Sequence, residues 1–255
     1  MASANKGLFV WYENLTKDVG AAISFYSDVV GWKTQQFSGE YTMWVGSQGP
    51  LGGVMRLPDE AAKMGAPPHW IAYVEVDDVD TSAALAKKLG GKVYKEPTDI
   101  PTVGRFAVIA DPQGAPIALF KPAQAMTLHD ASKDGEFCWN ELMTSDSVAA
   151  SWFYSEIFGW KILEEMDMGP IGKYRIFGLG GRRLGGMMTI PAGTPMPRMW
   201  IYYASTSDLD AAIGRATKKG AKVMNGPMDV PGGGRIAQLM DAQGVAFALH
   251  QAPKK

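Results

Sequence analysis

The sequence has a single cysteine, Cys138, and only three histidines, His69, His129 and His250. One cysteine can form no intrachain disulfide, so the chain gives no sign of an oxidising compartment. Three scattered histidines are few for a His-based metal centre, which needs several ligands converging on one point. No stretch approaches the roughly 18 apolar residues that a spanning helix requires. The opening MASANKG has no charged segment followed by an apolar run. Charge of one sign is also missing: the net formal charge is -1, which gives no electrostatic reason to expect nucleic acid or an anionic membrane as partner. These scarcities lead to the expectation of a soluble, cytoplasmic protein.

Apolar residues make up 46% and charged residues 20% of the chain, ordinary globular usage. The strongest feature is an internal repeat. FVWYENLTKDVGAAISFYSDVVGW from Phe9 to Trp32 returns as FCWNELMTSDSVAASWFYSEIFGW from Phe137 to Trp160. Trp11 and Trp139, Glu13 and Glu141, Asp18 and Asp146, Tyr26 and Tyr154, and Trp32 and Trp160 are each 128 residues apart. A constant offset of half the chain is the mark of a duplication.

Within a copy, Leu8 to Asn14 has the alternation and aromatic content of a strand, and Asp18 is placed to cap a helix. That helix carries Ala22, Phe25, Tyr26 and Val29 on one face and ends at Gly31. Strands are expected over 33–37, 41–46 and 53–57, with turns between them. A second unit of the same order begins at Trp70: strand, helix from Asp80 to Leu89, then strands over 92–94, 105–110 and 116–120. The last two are joined by the Asp111-Pro112-Gln113-Gly114 turn. The duplication is therefore nested, giving four βαβββ modules. The expected division is a first domain over 1–124, a linker over 125–136, a second domain over 137–255, and a frayed APKK end.

Paired βαβββ modules, the pattern D-x-x-x-A-x-x-F-Y-x-x-x-x-G-W and a D-P-x-G turn before the closing strand resemble the vicinal oxygen chelate superfamily. That group contains glyoxalase I, extradiol dioxygenases, and fosfomycin and bleomycin resistance proteins. More narrowly, the tandem W-x-E pattern resembles a group of mycobacterial secreted-antigen and hydroxylase-like proteins of about the same mass. The resemblance implies an α+β fold in which the four modules form two tandem half-open barrels. It also implies a divalent metal held by His, Gln or Glu on the first and last strands of each module. At those positions this sequence has Trp11, Ile71, Ala118 and the Val54-Met55 pair, and in the second half Trp139, Ile201, Ala248 and the Met187-Met188 pair. None is a ligand for a hard or borderline divalent ion. No metal and no cofactor are expected.

What would line the cavity instead is Glu13 and Glu141, two residues beyond the ligand-equivalent tryptophans and so on the same face of their strands. A carboxylate against an aromatic wall tends toward a raised pKa and suits acid or base chemistry. Trp11, Trp139, Tyr73, Tyr203, Met55 and Met188 are the expected apolar and aromatic ligand contacts, and Arg105 and Arg235 the partners for the Glu or for an anionic ligand. A structural alternative stands beside this: Glu13 and Arg105 forming an internal ion pair, with Trp11 filling the space a metal would vacate. Phe25, Tyr26, Trp32, Trp70 and Trp200 are read as core packing, and Cys138 as a buried apolar residue rather than a nucleophile. The functional expectation is a metal-free binder of a small, partly apolar molecule, with or without Glu-based lyase, isomerase or hydroxylase chemistry. Its alternatives are a metal-dependent lyase or dioxygenase and an antibiotic-sequestering protein. A monomer is expected, with a homodimer as the alternative.

Overall fold

The computed structural model describes residues 5–253, so Met1–Ala4 and the last two residues of the APKK end lie outside it. The first module contains β1 (Phe9–Thr16), α1 (Val19–Val29), β2 (Lys33–Ser38), β3 (Tyr41–Gly46) and β4 (Gly49–Arg56), followed by a short helix α2 (Asp59–Lys63). The second contains β5 (His69–Glu75), α3 (Val79–Lys88), β6 (Lys92–Ile100), β7 (Gly104–Ala110) and β8 (Pro116–Pro122). The third contains β9 (Phe137–Thr144), α4 (Ser147–Phe158), β10 (Lys161–Asp167), β11 (Lys173–Leu179) and β12 (Arg182–Thr189). The fourth contains β13 (Met199–Ser205), α5 (Leu209–Lys218), β14 (Lys222–Asp229), β15 (Arg235–Met240) and β16 (Ala246–Gln251).

Each module's long helix begins on an aspartate. Asp18, Asp78, Asp146 and Asp208 sit in extended backbone and accept a hydrogen bond from a first-turn N–H, which satisfies a donor the helix itself leaves unpaired. Such a cap contributes about 1 kcal/mol. Two strands, β4 and β6, exceed the expected range by three residues or more. β4 starts at Gly49 instead of Gly53, because Pro50 lies opposite Val45 within the ladder. β6 runs to Ile100 past Pro97, interrupted by register shifts that accommodate the proline on an edge strand. The helix α2 is not anticipated by periodicity; Asp59 and Glu60 in its first turn and Lys63 in its last match the helix dipole.

The strands form two eight-stranded mixed sheets, ordered β2-β3-β4-β1-β5-β8-β7-β6 and β10-β11-β12-β9-β13-β16-β15-β14. The α+β architecture of four βαβββ modules is as expected. The sheets divide between the two halves of the sequence, but the compact packing units do not. One unit consists of the described residues through Val10 with Ile71–Leu128 and Trp139–Trp200; the other of Trp11–Trp70, His129–Cys138 and Ile201 onward. Packing thus joins the second module to the third, and the first to the fourth.

The repeated signature residues make these pairings. In the unit of the second and third modules, Tyr154 Oη donates to Asp111 Oδ2 at 3.1 Å and accepts from Trp200 Nε1 at 3.3 Å. Asp111 Oδ1 meanwhile accepts from the backbone N–H groups of Gln113, Gly114 and Ala115. Trp160 Nε1 donates to the Gly7 carbonyl at 2.6 Å, and Phe9 stacks on the Trp160 ring. In the unit of the first and fourth modules the same bonds recur: Tyr26 Oη to Asp241 Oδ2 at 3.0 Å, Trp70 Nε1 to Tyr26 Oη at 2.9 Å, and Trp32 Nε1 to the Gly135 carbonyl at 2.6 Å. Burial pushes Asp111 and Asp241 above the usual carboxylate range, and the turn N–H groups and the tyrosine pull each partly back. The residues read as packing are buried as expected, but the tyrosine hydroxyls also bind one module to another.

Candidate functional site

Alternation along β1 places Trp11 and Glu13 on one face. The register sets Glu13 beside Gly53 of β4, and Gly53 beside Met43 of β3. Tyr41, two residues before Met43, shares that face and lies across Gly53, where any Cβ would collide with its phenol. Glycine is needed at this position because the ring occupies the space of a side chain. Trp11 Nε1 donates to Tyr41 Oη at 2.9 Å, and the same hydroxyl is hydrogen-bonded to the Glu13 carboxylate. Burial, reinforced by the Glu13 charge, holds the Tyr41 phenol far above its ordinary pKa. The phenol therefore stays protonated and acts as the donor to Glu13, which is itself only 7% exposed.

The third module repeats the arrangement in the other unit. Glu141 is in register with Gly186 of β12, and Gly186 with Ile176 of β11. Tyr174 covers Gly186, accepts from Trp139 Nε1 at 2.8 Å and is hydrogen-bonded to Glu141. Burial, then the Glu141 charge, again raises its pKa. Met188 is directly opposite Tyr174, while Met55 lies on the Glu13 face two residues beyond Gly53.

Sequence reasoning missed Tyr41 and Tyr174. They are 133 residues apart, not 128, so they fall out of the repeat's register. A usable signal existed within each copy, since each tyrosine precedes its second ladder glycine, Gly53 or Gly186, by 12 residues.

Tyr73, Tyr203, Arg105 and Arg235 make the following contacts. Tyr73 is buried with Phe106 and Phe120, their ring centroids 6.1 and 5.9 Å away, and is in register with Ala118. Tyr203 is in register with Ala248, and Ala248 with Gln238, whose Nε2 donates to Tyr203 Oη at 2.7 Å. Arg105 directs all three guanidinium nitrogens to Asp80 and Asp99, at 2.7 to 2.9 Å, and Arg235 makes a fork with Asp210 at 2.7 and 3.1 Å. Asp80 and Asp210 lie in the first turns of α3 and α5, so both arginines tie a strand to a helix start. This differs from the expected Glu13–Arg105 pair, because the helix-start carboxylates already chelate the guanidinium. The Cys138 thiol donates to the Tyr203 carbonyl, and burial pushes its pKa up to about 12, which removes it as a nucleophile.

The positions that the resemblance assigns to metal ligands do not fit an ion. Ile71, Ala118, Ile201 and Ala248 are buried aliphatic residues, and Trp11 and Trp139 are committed to tyrosine hydroxyls. Among the described residues no three His, Cys, Asp or Glu side chains gather to share a cation. His129 instead pairs with Glu136 at 2.8 Å, and His69 Nδ1 lies 2.7 Å from the Pro67 carbonyl.

Comparison with known proteins agrees with the architecture. A family model described as Glyoxalase/Bleomycin resistance protein/Dioxygenase superfamily matches residues 9–119 and again 139–249. "Putative glyoxylase CFP32" of Mycobacterium tuberculosis is 31% identical over 251 residues, covering 96% of this chain and 95% of its own length. "Anthracycline biosynthesis protein DnrV" of Streptomyces peucetius is 28% identical over 258 residues, 95% and 92% of the two chains. Among solved structures, the Mn(II)-bound glyoxalase from Novosphingobium aromaticivorans superposes with a TM-score of 0.66 at 14% identity, over 100% of this chain and 84% of that one. The 2,2',3-trihydroxybiphenyl 1,2-dioxygenase of Sphingomonas wittichii RW1 does so with 0.66 at 13% identity, over 99% and 91%. These two show the shared fold alone. With the family model matching both halves and four βαβββ modules building the sheets, the chain belongs to the glyoxalase/bleomycin resistance/dioxygenase superfamily.

Proposed function

We propose that each Trp–Tyr–Glu cluster is the polar floor of a small-molecule site that works without a metal. The observation that carries this reading is the cluster itself, built twice from the same three residue types around a glycine cleared for the tyrosine ring. Tyr41 and Tyr174 orient the carboxylates of Glu13 and Glu141, and the indoles of Trp11 and Trp139 orient the tyrosines. A carboxylate fixed in this way can anchor a ligand hydroxyl or take a proton from carbon next to a carbonyl. The relatives' names, a glyoxylase and an anthracycline biosynthesis protein, point to small carbonyl compounds and polycyclic aromatics as ligand classes to test.

Glu13→Gln and Glu141→Gln decide between binding and chemistry. If the protein is an enzyme of the lyase, isomerase or hydroxylase kind, the double variant keeps ligand affinity and loses turnover, by a factor of about 100 or more for a lost acid–base group. If it sequesters its ligand, affinity survives and there is no turnover to lose. Turnover that persists at the wild-type rate in the double variant contradicts acid–base chemistry by the two glutamates. The same reading takes the chain as a monomer, supported by two packing units that are each completed within one chain. It places the protein in the cytoplasm with no nucleic-acid or membrane partner, supported by one cysteine and a net charge of -1; among the described residues no helix is long and apolar enough to cross a membrane.

A further inference from the structure

The two clusters differ in what surrounds them. Two residues, 39 and 40, join β2 to β3, whereas five, 168–172, join β10 to β11. The longer connection contains a single 3-10 turn, Gly169–Ile171, between Gly169 (φ 65°) and Gly172 (φ 94°), whose left-handed backbone favours glycine. It carries Met168 and Ile171, 37% and 47% exposed, and it leads after one residue into Tyr174. Met166 is directly opposite Tyr174 on one side and Met188 on the other. The three form a row on the face that also holds Gly186 and Glu141. In the first half the residue opposite Tyr41 is Ser38, and Phe37 meets the ring edge-on at 6.3 Å.

A row of two thioethers flanking a phenol is a soft, polarisable surface suited to the face of an aromatic ring. Exposed aliphatic side chains on a glycine-flanked connection beside that row gain from covering an apolar ligand. We propose that the third-module cluster is specialised for a planar aromatic ligand, which lies over Tyr174 between Met166 and Met188 and is covered by Met168 and Ile171. The first-module cluster, with Ser38 in place of Met166, takes smaller and more polar molecules. This rests on the small-molecule reading of the Trp–Tyr–Glu clusters given above.

The test titrates the intact protein with 2-hydroxy-1,4-naphthoquinone as the planar probe and hydroxyacetone as the small polar one. Two proteins are compared: wild type, and Met168→Asp combined with Ile171→Asp. The expected result is that the double variant binds the naphthoquinone about tenfold more weakly while hydroxyacetone binding is unchanged, since only the apolar cover is lost. Ile171→Asp alone, at a half-exposed position, supplies the same comparison in case the double variant fails to fold. Naphthoquinone binding that the loop variants leave unaltered overturns the cover and leaves the small-molecule reading standing. A wild type that binds neither probe overturns both.

Discussion

Tyr26 and Tyr154 carry more of the structure than a buried aromatic ring does. Each hydroxyl stands between an indole donor and a turn aspartate whose other oxygen caps backbone N–H groups. Tyr26→Phe keeps the ring packing and removes the donor, leaving Asp241 short of a partner in a buried site. The loss expected is about 1–3 kcal/mol, measured by denaturant unfolding; a change below a few tenths would show that the Tyr26–Asp241 bond contributes nothing. At this scale the sequence was only half readable. Tyr26 looks like one more apolar position on an amphipathic helix, and nothing local marks Asp241, 215 residues away, as its acceptor. Trp11 and Glu13 were readable because the repeat preserves them in register. The partners of Arg105, Asp80 and Asp99, were not legible because they resemble helix-start and loop charges that need no partner.

Among the elements, β4 and β12 show how a glycine pair in a strand can be a device and not a weakness. Gly53 and Gly186 make room for the tyrosine ring, while at Gly52 and Gly185 a Cβ would strike the backbone carbonyls of Tyr12 and Asn140. Gly186→Ala forces Tyr174 off Glu141. The expected cost is about 1–3 kcal/mol from overpacking, with the Trp139 fluorescence environment changed because its Tyr174 acceptor moves. Unchanged stability and fluorescence would contradict the placement of the ring. The succession of strands and helices within a module was legible from alternation, and the first helix cap from Asp18. The tyrosines were not, because the β10–β11 connection is longer than its first-half counterpart and shifts Tyr174 out of the repeat offset.

On the scale of the whole molecule, the halves seen in the sequence are the two sheets, yet the packing units interleave them. Repetition could not reveal this, since four similar modules carry no label for which partners which. A consequence is that chains 1–124 and 137–255 made separately each lose acceptors that lie outside them. Tyr26 loses Asp241, Tyr154 loses Asp111, Trp32 loses Gly135 and Trp160 loses Gly7. Each half alone is expected to melt well below the intact chain, and the two produced together to co-purify. A monomeric half that melts at the temperature of the intact protein would contradict the interleaved packing.

In the function proposed above, a Trp–Tyr–Glu cluster stands where the family's metal would be held and binds ligand by itself. Elemental analysis joined to ligand titration before and after chelation tests it most directly. No stoichiometric Mn, Fe, Ni or Zn and the same ligand affinity after EDTA treatment are expected. About one metal per half, lost in the Glu13→Gln or Glu141→Gln protein together with ligand binding, would contradict it.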